Sequence, residues 1–161
     1  ALSGTEAITL FPGAMRAMQE VYDGDHADMR LAVASSADTP RAVEIGKAAM
    51  RLLEVLPGVT MYDVLMRGWT DEGHLQIGRT APLSSDKSRT HFPILRDTTG
   101  VPYDEMLFFD DSVWSDHCRM VERACPGVVT QRTPRGMTAE EWADGLDKFA
   151  RARSWGLHRS S

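Results

Sequence analysis

The stretch Met106-Leu107-Phe108-Phe109-Asp110-Asp111 decides how this chain is read. Four apolar residues of strand length end in two adjacent carboxylates. A short apolar run without alternation is the mark of a strand covered on both faces, as in a parallel sheet flanked by helices. Open sheets of that kind bind ligands at the carboxyl ends of their strands, which is where Asp110 and Asp111 stand. Two hard oxygen donors at one strand end suit Mg²⁺ with waters and a phosphate. A plainer reading serves equally well on these residues alone: Asp111 or Ser112 caps the helix that follows.

Upstream, residues 29–35 (MRLAVAS) form a second short apolar run, predicted as a buried strand ending at Ser35-Ser36. Thr39-Pro40 then supplies a cap and a proline at the first helical position, and the helix is expected to continue until Pro57-Gly58 stops it. An earlier helix starts at Pro12, with Met15, Met18, Val21 and Tyr22 at helical spacing, and stops at Asp23-Gly24. Residues 66–79 (MRGWTDEGHLQIGR) place two short extended arms around an acidic turn and read as a hairpin. Residues 88–99 form a helix closed by Gly100, the next helix runs from about Ser112 to Ala124, and residues 127–131 form a last strand. Thr138 and Glu141 have capping-box spacing at the head of a final helix whose core stripe is Trp142, Leu146 and Phe149. The basic, Ser-rich tail from Arg151 is expected to fray. Strands alternating with helices give an α/β fold with a mainly parallel sheet and a single core.

Composition narrows the function. The 161 residues carry a formal charge of -5, with acidic and basic residues mixed along the chain, so there is no basic stripe for nucleic acid or an anionic membrane. No run of about 18 apolar residues is present to span a bilayer, and the first six residues lack the regions of a signal peptide. Cys118 and Cys125 lie seven apart on one predicted helix, too far along its axis for a disulfide, which fits a reducing, cytoplasmic setting.

Three further positions bear on chemistry. Ser35 can offer its hydroxyl and the neighbouring N–H groups to a phosphate, or be an ordinary turn serine. Lys87, in a polar loop before a helix, can neutralise phosphate charge or simply face solvent. His91 beside Phe92 reads more readily as a packing residue than as an acid or base. His26, His74, His117 and His158 lack metal-site spacing, and the methionines read as core filler.

Taken in chain order, Ser35 after a strand, Lys87 before a helix and FFDD after a strand resemble motifs two, three and four of the haloacid-dehalogenase phosphatases. LFPG at 10–13, AVASS at 32–36, THF at 90–92, TGVPYDEMLFFDD at 99–111, RGMT at 135–138 and GLDKFA at 145–150 are similar to the eukaryotic magnesium-dependent phosphatase family, some of whose members are described as protein-tyrosine phosphatases. The resemblance spans residues 7–152. It implies a three-layer Rossmann-like domain without a large cap, Mg²⁺ held by Asp110 and Asp111, phosphate bound by Ser35 and Ser36, and Lys87 as the charge-neutralising lysine. It implies hydrolysis of a phosphomonoester, on a phosphoprotein or a small molecule, through an aspartyl-phosphate.

The chain departs from that pattern in an instructive way. The attacking aspartate of the family belongs to a DxDxT motif after a first strand, and none occurs in these residues. Asp23-Gly24-Asp25 has the spacing but precedes a strand instead of following one. In the family the missing strand lies between the Ser35 strand and the Asp110 strand, so a central gap is expected here. The expectation is an upstream segment that carries the nucleophile; the alternatives are another peptide that fills the slot, or a pseudophosphatase that binds phosphate or a partner without turnover. Lys87 is also one residue further from His91 than the family spacing, which leaves Ser88 or Arg89 as rivals for its role. Ser112-Val113-Trp114-Ser115 replaces a polar run in the family.

Overall fold

The computed structural model describes residues 2–3, 6–26 and 28–157. A two-strand antiparallel ribbon, β1 (Leu2–Ser3) and β2 (Glu6–Ala7), leads into helix α1 (Pro12–Asp23), which begins on its proline and ends at Gly24 in the left-handed conformation. Strand β3 (Val33–Ser35) is followed by α2 (Pro40–Leu52), whose first turn is capped by the Thr39 hydroxyl accepting from the Ala42 N–H at 3.1 Å. The cap was legible because threonine followed by proline satisfies one orphan donor and removes another.

Past this point the local reading departs from the structure. The helix stops at Leu52, and Glu54–Leu56 (β4) turns at Pro57-Gly58 into Val59–Thr60 (β5) as an antiparallel pair. Pro-Gly marks the turn of a small hairpin here instead of a helix stop. Thr60 and Asp63 then form a capping box that starts α3 (Met61–Leu65).

The hairpin expected over residues 66–79 is not formed. Its first arm is the turn that ends α3, with the Met66 N–H donating to the Tyr62 carbonyl at 2.9 Å. Its second arm becomes β6 (Leu75–Ile77), which pairs parallel with β3 in the register Val33 with Leu75 and Ser35 with Ile77. The turn residues are drawn onto β3: the Trp69 indole donates to the Leu31 carbonyl at 2.9 Å, and the ring stacks on His74 with centroids 5.0 Å apart. Burying those two rings against the sheet outweighs the local turn preference.

The second half of the sheet follows the sequence more closely. Helix α4 (His91–Thr99) ends at Gly100, and a short 3₁₀ turn (Tyr103–Glu105) leads to β7 (Leu107–Asp110). Helix α5 (His117–Ala124) follows, starting five residues later than its apolar spacing indicated. Strand β8 (Val129–Arg132) pairs parallel with β7, Asp110 lying opposite Arg132. Helix α6 (Ala139–Leu157) opens with the Thr138/Glu141 capping box, both bonds made at 2.8 and 3.1 Å. It stays helical through the stretch expected to fray, as far as Leu157; residues 158–161, with His158, lie outside the described residues.

The result is an α/β arrangement of short parallel pairs flanked by helices. Among the described residues β3 and β7 share no hydrogen-bonded ladder. Two clusters of buried apolar side chains stand out among the described residues. One holds Phe92, Phe108, Cys118, Val121, Cys125 and Val128 around β7; the other holds Met18, Val21, Val55 and Val64 behind α1. Strand β3, expected to be buried, is only half-buried at Val33, Ala34 and Ser35. Cys118 and Cys125 are both free and buried. No helix among the described residues is long and apolar enough to cross a membrane.

Candidate active site

Strand β7 sends alternate side chains to opposite faces, so Phe108 and Asp110 share one face and both are buried there. On that face the Phe92 ring of α4 meets Phe108 edge-on, with centroids 4.9 Å apart. Lys87 extends across the same surface: its ammonium lies 5.3 Å from the Phe108 ring centroid and pairs with Oδ2 of Asp110. Both side chains are withdrawn from solvent, at 9% and 4% exposure. The solvent-facing reading of Lys87 is therefore not realised. Its two rivals lie elsewhere, since the Ser88 hydroxyl donates to Oδ1 of Asp86 at 2.6 Å and Arg89 is exposed.

A tightly bonded loop fixes Lys87 in place. The Ser88 N–H donates to Oδ1 of Asp86 at 3.0 Å, the Ser84 N–H to Oγ1 of Thr90 at 3.2 Å, and the Phe92 N–H to the Lys87 carbonyl at 3.0 Å. His91 completes the bracket. Its Nε2 lies 3.0 Å from the carbonyls of both Ser35 and Gly78, two acceptors that require Nε2 to carry the proton. Nδ1 is then free to accept from the Thr90 hydroxyl at 3.1 Å. Burial pushes the His91 pKa down, in keeping with this neutral tautomer. His91 is thus a bracket with three partners that ties the carboxyl ends of β3 and β6 to the loop carrying Lys87.

The capping alternative for the acidic pair fails. The cap of α5 is Asp116, whose Oδ1 accepts the Arg119 N–H at 3.1 Å. Asp110 instead accepts the Ser112 N–H on Oδ1 at 3.0 Å, and Asp111 is exposed at the strand end. Each Asp110 oxygen keeps a lone pair beyond the bonds it makes. No cluster of three or more ligating side chains occurs among the described residues. Mg²⁺ characteristically takes one or two carboxylates and fills the remaining positions with waters and phosphate oxygens, so the Asp110–Asp111 donor set fits that ion.

Ser35 and Ser36 sit at the carboxyl end of β3 and are half-buried. The Ser35 carbonyl accepts the Gly78 N–H at 2.7 Å as well as the His91 bond. Two further residues follow Asp111 in the chain. His117, the first residue of α5, is buried with Nδ1 unpartnered among the described residues. Burial, then the Lys87 charge, push its pKa down. Trp114 lies three residues past Asp111 with its ring 95% exposed. No spacing rule reaches either one, because both depend on how the loop between β7 and α5 closes.

A family model described as Acid Phosphatase matches residues 3–152. Over 71 residues the chain is 34% identical to human magnesium-dependent phosphatase 1, the aligned part covering 44% of this chain and 38% of the human protein.

Proposed function

The chain belongs to the acid phosphatase family, and from that footing we propose that it is the metal-holding part of a Mg²⁺-dependent phosphomonoesterase. The observation that carries this reading is the buried Lys87–Asp110 pair at the carboxyl edge of β7, a fixed cation beside a carboxylate where the sheet opens. A cation and a carboxylate withdrawn from water are costly to bury and need a compensating role. The human relative is named for its dependence on magnesium, which supports the same ion here.

In this reading Asp110 and Asp111 hold the ion, which supplies charge stabilisation on the phosphoryl oxygens. Lys87 neutralises a phosphoryl oxygen from the protein side, and the hydroxyls of Ser35 and Ser36 with their neighbouring N–H groups orient the phosphate. The nucleophile is an aspartate on a further strand of the same protein that enters between β3 and β7. Supporting that placement, each of these strands has a ladder partner on one side only among the described residues. The aspartate oxygen attacks phosphorus as the ester oxygen leaves; water then cleaves the aspartyl-phosphate and releases inorganic phosphate.

The test is phosphate release from p-nitrophenyl phosphate by the complete native chain with Mg²⁺. Turnover that is abolished by EDTA, restored by Mg²⁺ and reduced about a thousandfold or more by Asp110→Asn is expected. Turnover indifferent to EDTA overturns the reading, and Mg²⁺-assisted phosphate binding without turnover assigns a binding module instead.

A further inference from the structure

Resting on the proposed phosphomonoesterase, we infer that Arg79 and Arg132 form two anion subsites, one on each side of the phosphate, that take acidic side chains flanking the phosphorylated residue of a protein substrate. The ladders place both arginines. Arg132 ends β8 and stands opposite Asp110 in register. Arg79 follows Gly78, whose N–H donates to the Ser35 carbonyl at 2.7 Å. With the nucleophile strand between β3 and β7, the carboxyl edge reads Arg79, Ser35, Asp110, Arg132: the outer strands β6 and β8 carry the cations, and the inner strands carry the phosphate and metal groups.

Neither arginine closes a tight ion pair. Arg79 lies 3.9 Å from Oδ2 of Asp38 and Arg132 lies 3.9 Å from Oδ2 of Asp116, beyond hydrogen-bond reach, with the two arginine side chains 46% and 51% exposed. By contrast Arg16, Arg51 and Arg96 close on carboxylates at 2.6, 2.8 and 2.7 Å. Asp38 and Asp116 belong to the loops that leave β3 and β7, so the loose pairs keep both guanidiniums at the edge where those strands open. A hydrated pair of that kind contributes little, and the guanidinium fork can turn to an incoming carboxylate.

The spacing suits an extended peptide. Adjacent strands lie about 4.8 Å apart, so with one strand between β3 and β7 the outer strands stand about 19 Å apart. A peptide crossing the edge advances about 3.3 Å per residue, which brings side chains about three positions before and after a phosphorylated residue at Lys87 and Asp110 beside the two arginines. Arg135 adds a second cation on the β8 flank, exposed in the turn that the Gly136 N–H closes on the Thr133 carbonyl at 2.9 Å. A sugar-sized ester is too short to reach both arginines.

Complete native chain is assayed with Mg²⁺ on peptides of one sequence that carry either Glu or Gln three residues to each side of the phosphorylated residue, one pair built on phosphotyrosine and one on phosphoserine. In the pair it hydrolyses, wild type should show a kcat/KM roughly three- to thirtyfold higher for the Glu peptide. Arg79→Gln and Arg132→Gln should each lower that ratio roughly two- to fivefold, and the double variant should bring it close to one. A loss of folded protein cancels from the ratio, because both peptides meet the same preparation. A wild-type ratio near one, a ratio that both single variants leave unchanged, or hydrolysis of small esters but of no peptide overturns the inference. A second arm needs no turnover: the same peptides with a phosphonate in place of the phosphate, titrated by calorimetry with Mg²⁺, should show the same preference and the same loss in the variants. Turnover of p-nitrophenyl phosphate without preference between the peptides leaves the phosphatase reading standing and sinks this one; a Glu-peptide preference in binding that the variants abolish, with no turnover of any ester, does the reverse.

Discussion

The two halves of the sheet are built to different standards. Around β7 and β8 the strands are four residues long, and Phe92, Phe108, Val121 and Cys125 close a cluster that Ala34 only touches from the other half. Around β3 and β6 the strands are three residues long and half-buried throughout. The difference shows where the site's rigidity comes from. Asp110 is held by packing on its own half and by Lys87, whereas Ser35 is held by its β6 ladder, the Gly78 N–H and the His91 bond sent across from α4. Two of the bridges that join the halves among the described residues are the loop running from Ser84 into His91 at the carboxyl edge, and a clamp between α1 and α6, where the Trp142 indole donates to Glu20 at 2.7 Å.

Cutting the first bridge at its buried charge should have the largest effect. Lys87→Met leaves Asp110 without its cation in a buried setting and is expected to cost about 3–5 kcal/mol. Denaturant midpoints measure this directly. The double variant Lys87→Met/Asp110→Asn should lose clearly less than the sum of the single losses, because neither then leaves a buried charge unpaired. Additive losses would mean that the two groups do not act as a pair.

His91→Leu removes the donor shared by the Ser35 and Gly78 carbonyls and should cost about 2 kcal/mol. Hydrogen exchange sharpens the contrast: amides of β3 and β6 should exchange faster while those of β7 and β8 keep their protection. Equal acceleration on both halves would show that the sheet opens as one unit. The wild-type bracket also has a pH signature. The folded state holds His91 neutral with a lowered pKa, so its contribution is fully present above the ordinary value of 6.5 and declines as pH falls below it. The variant should show a shallower decline over that range.

The same asymmetry governs what the sequence discloses. Strand β7 with its acidic end, the Pro12 start of α1, the Thr39 cap and the Thr138/Glu141 box are legible because each depends on residues within about one turn of one another. The parallel pairing of β6 with β3 is set by Trp69 and His74 packing against distant backbone, and no local pattern records it. In the site, the place of Asp110 follows from its strand, but the pairing of Lys87 with it is a contact spanning 23 residues. The late start of α5 escaped because Asp116 caps as well as Ser112 would, and only loop closure selects between them.

The clamp offers the smallest effect and separates the two bridges. Glu20 accepts from the Trp142 indole, from Arg16 at 2.6 Å, and lies 3.1 Å from Nε2 of His26. The Trp142 bond first, then the Arg16 bond, lower its pKa from 4.5 to about 2. Glu20→Gln keeps the shape and weakens the acceptor, so a loss of about 1 kcal/mol is expected near neutral pH. A carboxyl with a depressed folded pKa contributes fully above its ordinary value and loses that contribution as pH falls from about 4.5 towards about 2. The gap between wild type and variant should therefore narrow across that interval in urea midpoints taken at several pH values. A gap that stays constant would show that the Glu20 charge does not hold α1 to α6, leaving the Gly13 N–H bond to the Met137 carbonyl and the packing of Trp142 to join the halves on that side.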